Sequence, residues 1–362
     1  PLPLLLGEGA GDGGHAVTDA YAAAGVDIDA TNRAVERMKR LAAGTARPEV
    51  LAGIGPFAAL WRLGEYREPV LVSSTDGVGT KVKLTRVLGR YDTVGRDLVN
   101  HCVNDIFTAG AAPLFFLDYL ANNGLSEDQK VAIVEGMAEA CREAGCSLIG
   151  GETADMPGVY EAGDFDIAGF IVGVCERGAL LDGSRIRPGD ALLALPANGL
   201  HTNGYSLVRQ VFQIALGGSE TEQHDRAVLA QIVPGTETSL GEALMVPHHC
   251  YLHELRPLLP RITALAHITG GGMYENVPRI LPEGVAAEFD RSSWSVPPLF
   301  QFIQRMGNIP DAEMFRTFNM GVGMVIAAAP EACETLLREL PGARQAGRVV
   351  AAAPGEPRVL LR

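Results

Sequence analysis

The sequence predicts an α/β fold of two domains that meet near residue 180. The 362 residues exceed the size at which a single core stops growing, roughly 250 residues. Apolar runs of strand length alternate with helical patterns in both halves, and a turn-rich stretch over residues 182–190 separates them. We therefore expect a glycine-rich, mobile segment over residues 1–20, an N-terminal domain over 21–180 and a C-terminal domain over 181–362.

The predicted elements follow the spacing of apolar residues. Strands are expected at residues 69–73, 114–120, 147–149, 166–175, 191–195, 263–268 and 322–328. Helices are expected at residues 29–43 and about 96–108, and others begin near Tyr205 and Tyr274. A further helix opens with Ser126 and Gln129 as a capping box and ends at Gly145.

The loop over residues 73–81, SSTDGVGTK, is the most informative local pattern. Gly77 and Gly79 let backbone N–H groups point into one concavity that can bind phosphate oxygens. Asp76 offers a carboxylate to Mg²⁺, and Lys81 offers a positive charge to phosphate. The spacing is not that of a Walker A loop. A tight strand-to-helix turn without a ligand is an equally good interpretation of this loop alone.

The helix expected near residues 96–108 carries a polar stripe beside its apolar one, formed by Asp97, His101, Asn104 and Thr108. A solvated helix face usually carries Lys and Glu, which are better helix formers. Two interpretations remain open. Either this is an ordinary exposed face, or it faces a ligand cleft in which Asn104 or Asp105 coordinates a metal.

Glu152 has a sequence context similar to that of the first loop, because it follows a buried strand and two glycines. Asp76, Asp105 and Glu152 are each weak indicators. Three acids at the ends of successive elements together favour a site for Mg²⁺ and a nucleotide.

Two polar loops in the second half indicate anion binding at helix starts. One is HTNGYS at residues 201–206, where His201 is a candidate general base or substrate-orienting group. The other is HITGGG at residues 267–272, in which His267 lies inside a strand and is expected to be packed. His248, His249 and His253 lack the spacing and the partners of a zinc site.

The composition of the chain argues against nucleic-acid-binding and membrane-spanning proteins. The net charge of −13 argues against a nucleic-acid surface, and no apolar stretch approaches the roughly 18 residues that span a bilayer. The 6 cysteines contain no C-x-x-C pair. We expect buried free thiols in a reducing compartment, and hence a cytoplasmic protein.

Seven motifs in order resemble those of the phosphoribosylformylglycinamidine cyclo-ligase (AIR synthetase) family of purine biosynthesis. They are GVDIDA at 25–30, TDGVGTK at 75–81, VND at 103–105, GGET at 150–153, HTNGYS at 201–206, TGGG at 269–272 and FNMGVGM at 318–324. The resemblance covers roughly residues 21–328. The chain departs from the usual pattern at Thr31, Asp155 and Thr202, and at PHHCY over 247–251, where a Thr and a basic residue are usual before Tyr251.

The resemblance implies an ATP-dependent ligase that forms a C–N bond. With Mg²⁺ as its cofactor, such an enzyme converts formylglycinamidine ribonucleotide and ATP to aminoimidazole ribonucleotide, ADP and phosphate. ATP phosphorylates the formamide oxygen, and the amidine nitrogen then closes the ring. It also implies a homodimer in which the N-terminal domains pair through a shared β-barrel, with the C-terminal domain binding the substrate.

Carried over to this chain, the resemblance assigns Asp76, Asp105 and Glu152 to the metal. Catalytic roles fall to His201, Asp76 and Lys81. Nucleotide contacts are expected from Lys39, Asp76, Gly77, Gly79, Thr80, Lys81, Asn104, Asp105 and Glu152. Substrate contacts are expected from His201, Asn203, Ser206, Thr269, Gly270, Gly271 and Gly272.

Two alternatives remain at this stage. One is another ATP-using enzyme of the same superfamily, such as thiamine-phosphate kinase, because the nucleotide loop is shared. The other is a catalytically inactive, ligand-binding relative, which should have lost acids or glycines from these motifs.

Overall fold

A computed structural model describes residues 28–215 and 218–362 and confirms the predicted α/β class. The mobile segment expected over residues 1–20 lies outside the described residues, as do residues 25–27 of the GVDIDA motif. The domain limits stay a prediction.

The N-terminal half contains four helices and six strands among the described residues. The helices are α1 (Ile28–Ala43), α2 (Val82–Leu88), α3 (Asp92–Phe107) and α4 (Glu127–Ala144). The strands are β1 (Val50–Ala52), β2 (Leu60–Trp61), β3 (Pro69–Gly77), β4 (Ala112–Asn122), β5 (Ser147–Asp155) and β6 (Phe165–Glu176).

Four of these strands form a mixed sheet in the order β3-β6-β4-β5, in which only the β4–β5 pair is parallel. Helices α3 and α4 pack on each other and α3 contacts β3, β4 and β6. The other face of this sheet exposes apolar side chains, including Leu71, Tyr119 and Phe170. One face of the sheet is therefore core and the other is open.

The C-terminal half contributes eight helices and six strands to the described residues. The helices are α5 (Tyr205–Val211), α6 (Gly218–Leu229), α7 (Leu240–Leu244), α8 (Leu252–Leu255), α9 (Gly272–Asn276), α10 (Pro298–Gly307), α11 (Asp311–Thr317) and α12 (Pro330–Glu339). The strands are β7 (Ala191–Pro196), β8 (Ala264–His267), β9 (Val285–Phe289), β10 (Val322–Ala328), β11 (Arg344–Ala351) and β12 (Val359–Leu361).

These six strands form one sheet in the order β12-β9-β11-β7-β10-β8, in which β7 and β10 are buried on both faces. Leu193 and Leu195 of β7 belong to a large core that also contains residues of the N-terminal half. Their neighbours Leu192 and Ala194 point to a second core on the opposite face. This two-sided burial explains why β7 and β10 are continuous apolar runs rather than alternating ones.

Local signals set several element ends as predicted. The Ser126 side chain accepts from the Gln129 N–H and the Gln129 side chain accepts from the Ser126 N–H, which completes the capping box of α4. Gly145 ends α4 with a left-handed φ of 66°. Strands β3 and β5 are longer than predicted, so that Asp76 and Glu152 lie inside strands instead of in the turns after them.

All 6 cysteines are free, and all but Cys250 are buried, in agreement with the sequence. None of the helices in the described part of the chain has the length and apolarity needed to cross a membrane.

Candidate active site

Helix α3 lies between the two halves, and its polar stripe is buried. Asn100 donates to the carbonyl of His248 at 2.7 Å, and Asn104 donates to the carbonyl of His249 at 2.7 Å. The Tyr251 N–H donates to the Asn104 side-chain oxygen at 2.9 Å. The interpretation as an ordinary exposed face is therefore wrong. Asn104 is expected among the nucleotide contacts. Its side-chain nitrogen and oxygen are both hydrogen-bonded to the backbone of residues 248–251.

Lys81 does not lie where the sequence predicts it, in a position to contact a phosphate. Its side chain is fully buried, and its ammonium contacts the equally buried Asp97 at 2.8 Å and donates to the carbonyl of Val246 at 2.8 Å. Burial pushes the pKa of Lys81 down and that of Asp97 up, and their mutual attraction opposes both shifts. Here Lys81 ties the 73–81 loop to the C-terminal half, and a phosphate contact would require it to move.

Two acids and two histidines converge beside α3. The His101 Nε2 atom lies 2.9 Å from Asp76 and 3.8 Å from Asp105, which is one turn along the same helix. The Nδ1 atom of His267, at the end of β8, lies 2.8 Å from Asp105. Both imidazoles are buried, whereas both carboxylates are partly exposed. All four residues line one cavity of about 320 Å³ between the halves, which also contains Thr269.

This pairing controls the charge states of the site. Burial favours a higher pKa for the Asp76 and Asp105 carboxyls, but hydrogen bonds and charge from His101 and His267 outweigh it and lower both pKa values. Burial favours a lower pKa for His101, but the hydrogen bond that its ring donates to Asp76, together with the nearby carboxylates, raises it. The cavity is therefore lined by ionised carboxylates, which suit a hard cation.

Glu152, the third expected metal ligand, does not join Asp76 and Asp105 within one chain. Glu152 of β5 is the register partner of Tyr119 in β4, and the register continues across β6 to Gly77 in β3. Glu152 therefore lies on the same sheet face as Gly77 and on the opposite face from Asp76. Three inter-strand spacings of about 4.8 Å also separate β5 from β3, about 14 Å in all. Glu152 instead lines a larger cavity of about 960 Å³ on the open face of the sheet.

His201 is held in an unusual position in the 201–206 loop. Its backbone has a positive φ of 60°, and its ring stacks on His248 with centroids 4.0 Å apart. The ring is buried, and neither nitrogen has a hydrogen-bond partner among the residues that the structure describes. Burial, followed by the electrostatic effect of the neighbouring His267 and Lys81, holds the pKa of His201 well below its usual value. The ring is thus a neutral imidazole with unused hydrogen-bonding capacity.

The remaining predicted substrate contacts surround a second opening. Asn203, Gly270 and Gly271 line a cavity of about 690 Å³ that also contains Arg316. Within residues 28–215 and 218–362, the Asn203 amide nitrogen has no hydrogen-bond partner. Asn276 donates to the carbonyls of Gly270 at 3.1 Å and Gly272 at 2.8 Å, which holds the glycine turn in shape.

The residues of the first loop stand close to this region. Thr80 and Ser206 share a hydrogen bond of 3.1 Å between their hydroxyl oxygens. The Gly77 N–H donates to the Asp76 carboxylate at 2.7 Å, and Gly79 has a φ of 63° that favours glycine. Lys39 lies apart on α1, where its ammonium pairs with Glu36 at 2.6 Å.

Sequence reasoning missed the histidine cluster as a whole. The sequence indicates His101 and His267 singly, and it predicts only packing for His267. Of His248, His249 and His253, only His248 turns inward, where its Nε2 atom lies 2.9 Å from Nε2 of His267. No sequence spacing reveals the cluster, because its members come from separate elements.

Comparison with known proteins decides the family. Residues 57–175 match the family model "AIR synthase related protein, N-terminal domain", and residues 187–359 match its C-terminal counterpart. A phosphoribosylformylglycinamidine cyclo-ligase of Desulfitobacterium hafniense is 48% identical over 93% of this chain and 97% of its own length. The enzyme of that name from Geotalea daltonii is 49% identical over 91% and 93%. The chain belongs to the phosphoribosylformylglycinamidine cyclo-ligase family.

Solved structures of other proteins share the fold of this cyclo-ligase family member. Thiamine-monophosphate kinase from Stenotrophomonas maltophilia superposes with a TM-score of 0.58, at 19% identity over 89% of this chain and 94% of that chain. E. coli HypE, a hydrogenase maturation protein, gives 0.59 at 18% identity over 91% and 94%. These two structural similarities support the architecture alone. The assignment to the cyclo-ligase family, and not to the family of either protein, comes from the relatives that are 48–49% identical.

Proposed function

We propose that this chain catalyses the ATP-dependent closure of formylglycinamidine ribonucleotide to aminoimidazole ribonucleotide, with release of ADP and phosphate. The identity of 48–49% to cyclo-ligases over more than nine tenths of the chain carries this proposal. None of the acids and glycines of the nucleotide motifs is missing, which argues against an inactive relative.

Asp76 and Asp105 fit a Mg²⁺ ion that accompanies ATP. Their carboxylates are ionised, lie at one cavity and remain partly exposed, as a ligand set for a hard cation requires. Mg²⁺ would supply charge neutralisation on the phosphates. Gly77, Gly79 and Thr80 would contribute the backbone N–H groups and the hydroxyl that orient them.

His201 and the second opening would hold the ribonucleotide. The unpartnered nitrogens of His201 and Asn203 are buried donors and acceptors that a ligand can satisfy. Ser206, Thr269 and the glycine turn would contact the substrate beside them. Neutral His201 would accept the proton that the amidine nitrogen loses on ring closure.

The activity is tested by incubating the protein with ATP, Mg²⁺ and formylglycinamidine ribonucleotide, and by measuring the aromatic amine product and ADP separately. Equal, substrate-dependent formation of both is expected. ADP without the amine would indicate another phosphoryl acceptor. His201→Gln should lower kcat by about 100-fold or more if the ring moves a proton, and near-normal turnover would remove that role.

We further propose that two copies pair through the open face of the N-terminal sheet. Leu71 is 60% exposed and Phe170 is 42% exposed on this face, which is unusual for large apolar residues on a sheet. Glu152 lies on the same face. Pairing would therefore bring this acid, together with the larger cavity, to the interface between copies.

Light scattering after size-exclusion chromatography tests the pairing. Leu71→Asp should convert a dimer to a monomer, because a charge would be buried without a partner. Ile232→Asp is the matched control, since Ile232 is 54% exposed but lies in the C-terminal half. Pairing through this face would be ruled out by a Leu71→Asp variant that keeps the wild-type mass.

A further inference from the structure

The ring of His201 is held by packing alone, because neither of its nitrogens is hydrogen-bonded within the described part of the chain. His248 provides the nearest ring, stacked on His201 with centroids 4.0 Å apart and an angle of 21° between the planes. The Tyr251 ring is more distant, with its centroid at 6.3 Å. The backbone of Gly323 also packs closely, since a Cβ atom there would lie 2.7 Å from Cε1 of His201. The orientation of the His201 ring therefore depends mainly on the face of His248.

His248 is itself fixed at three points. Its backbone N–H donates to the Asp97 carboxylate at 2.7 Å, and its carbonyl accepts from the Asn100 amide at 2.7 Å. Its Nε2 atom lies 2.9 Å from the Nε2 atom of His267. The residue is 1% exposed. Helix α3 holds the backbone of His248 and strand β8 holds its ring, so that its face stays in place against His201.

The hydrogen bonds around His267 determine which nitrogen of His248 carries the proton. The Asp105 carboxylate, 2.8 Å from Nδ1 of His267, is ionised and can only accept, so this nitrogen donates. Burial outweighs the effect of Asp105 and lowers the pKa of His267, so its ring is neutral and its Nε2 atom accepts. His248 must then donate from Nε2. Its buried Nδ1 atom, which has no partner among the described residues, carries no proton.

We propose that His248 is a positioning residue for ring closure, which holds the His201 ring by stacking while the N–H that it donates to His267 fixes its own plane. Its importance for the reaction rests on the proposed function, in which His201 accepts the proton. A displacement of about 1 Å at a reacting group can cost on the order of 100-fold in rate, so an acceptor without hydrogen bonds of its own needs this support. His248 belongs to residues 247–251, where the chain departs from the usual cyclo-ligase pattern. We therefore expect the stack to be a feature of this chain and not of the whole family.

Two substitutions separate the ring of His248 from its N–H group. His248→Gln keeps a donor toward His267 and loses the ring, whereas His248→Phe keeps a ring and loses the donor. If the stack positions His201, kcat for ring closure should fall at least about 10-fold in His248→Gln and stay within about threefold of the wild-type value in His248→Phe. KM for ATP should change by less than about twofold in both, because His248 does not line the cavity that contains the two carboxylates.

His249→Gln is the matched control for both variants. His249 is the next residue along the chain, and its side chain pairs with Glu254 at 3.0 Å. Its substitution removes an imidazole from the same segment without removing a ring that stacks on His201. We expect wild-type values of kcat and KM.

Magnetic resonance of the full-length protein, made with isotope-labelled histidine, tests the same geometry without turnover. Nitrogen chemical shifts distinguish a protonated ring nitrogen from a bare one. The signals of His248 and His201 are identified by their loss in His248→Gln and His201→Gln. In the wild-type protein we expect a proton on Nε2 of His248 and none on Nδ1. The carbon-bound ring protons of His201 should shift in His248→Gln, because the ring current of its neighbour is lost, and should shift less in His248→Phe.

The proposal is overturned if His248→Gln keeps the wild-type kcat. It is overturned equally if His248→Phe loses as much as His248→Gln, since the ring face would then not be the cause. A proton on Nδ1 of His248 would also overturn it, and this result comes from the wild-type protein even if neither variant folds. A wild-type protein that forms no amine product would remove the proposed function alone, because the ring signals are measured without substrate.

Discussion

The buried pair of Lys81 and Asp97 allows a prediction that separates two roles for one lysine. In Lys81→Met the side-chain volume is kept and the ammonium is lost. Asp97 would then be a buried carboxylate with one N–H donor, that of His248, and the Val246 carbonyl would lose the ammonium. If Lys81 instead acts only at a phosphate, the same change should weaken ATP binding and leave stability unaltered.

The expected loss follows from the burial of both partners, which are 0% exposed. Removing one partner of a buried pair costs about 3–5 kcal/mol, because the remaining charge has lost its compensation. Adding Asp97→Asn removes that charge but keeps an acceptor for the His248 N–H. The double variant should therefore recover most of the loss, to within about 2 kcal/mol of the wild-type protein.

Urea unfolding followed by circular dichroism measures these free energies, with equal m-values as the sign that the unfolded states are comparable. ATP affinity is measured on the same samples by calorimetry. The reasoning is refuted if Lys81→Met unfolds within about 1 kcal/mol of the wild-type protein. It is also refuted if the double variant is less stable than the single one.

Two further predictions concern stability. Gly95→Ala should destabilise the protein by at least about 1–3 kcal/mol, because its Cβ would lie 2.0 Å from the Ile133 carbonyl oxygen where α3 meets α4. Gly178→Ala is the control, because no atom of the described residues lies within 4 Å of its new Cβ. Its free energy of unfolding in urea should change by less than about 0.5 kcal/mol. Equal losses of stability in the two variants would contradict the packing argument. Burial, reinforced by the charge of Glu152, raises the pKa of Asp118 to about 7. The folded state then holds this proton more tightly than the unfolded state, so stability declines from about pH 4 to about pH 7. Asp118→Asn should remove that decline, so its free energy of unfolding relative to the wild-type protein should rise by up to about 4 kcal/mol across this pH range. Parallel curves of stability against pH for the two proteins would exclude the raised pKa of Asp118.

The sequence by itself determined the features that depend on neighbouring residues. The capping box of Ser126 and Gln129 and the glycine stop at Gly145 predicted α4 to within a residue, because these contacts close within one turn. The apolar runs of β7 and β10 predicted these strands, because a short apolar run is a pattern of neighbouring residues. The motif series likewise indicated the family, because each motif is a run of neighbouring residues.

Only the tertiary structure decided which polar groups meet. Strand β5 continues to Asp155 instead of ending at residue 149, so Glu152 lies inside the strand and not in a turn. Its side chain is on the far face of the sheet, because side-chain direction alternates along a strand. Lys81 left its expected place because a buried carboxylate, 16 residues further on, offers it a partner. His101 and His267, separated by 166 residues, share Asp105 because α3 packs where the two halves join. Such long-range pairing leaves no trace in local spacing, and it is this pairing that forms the site.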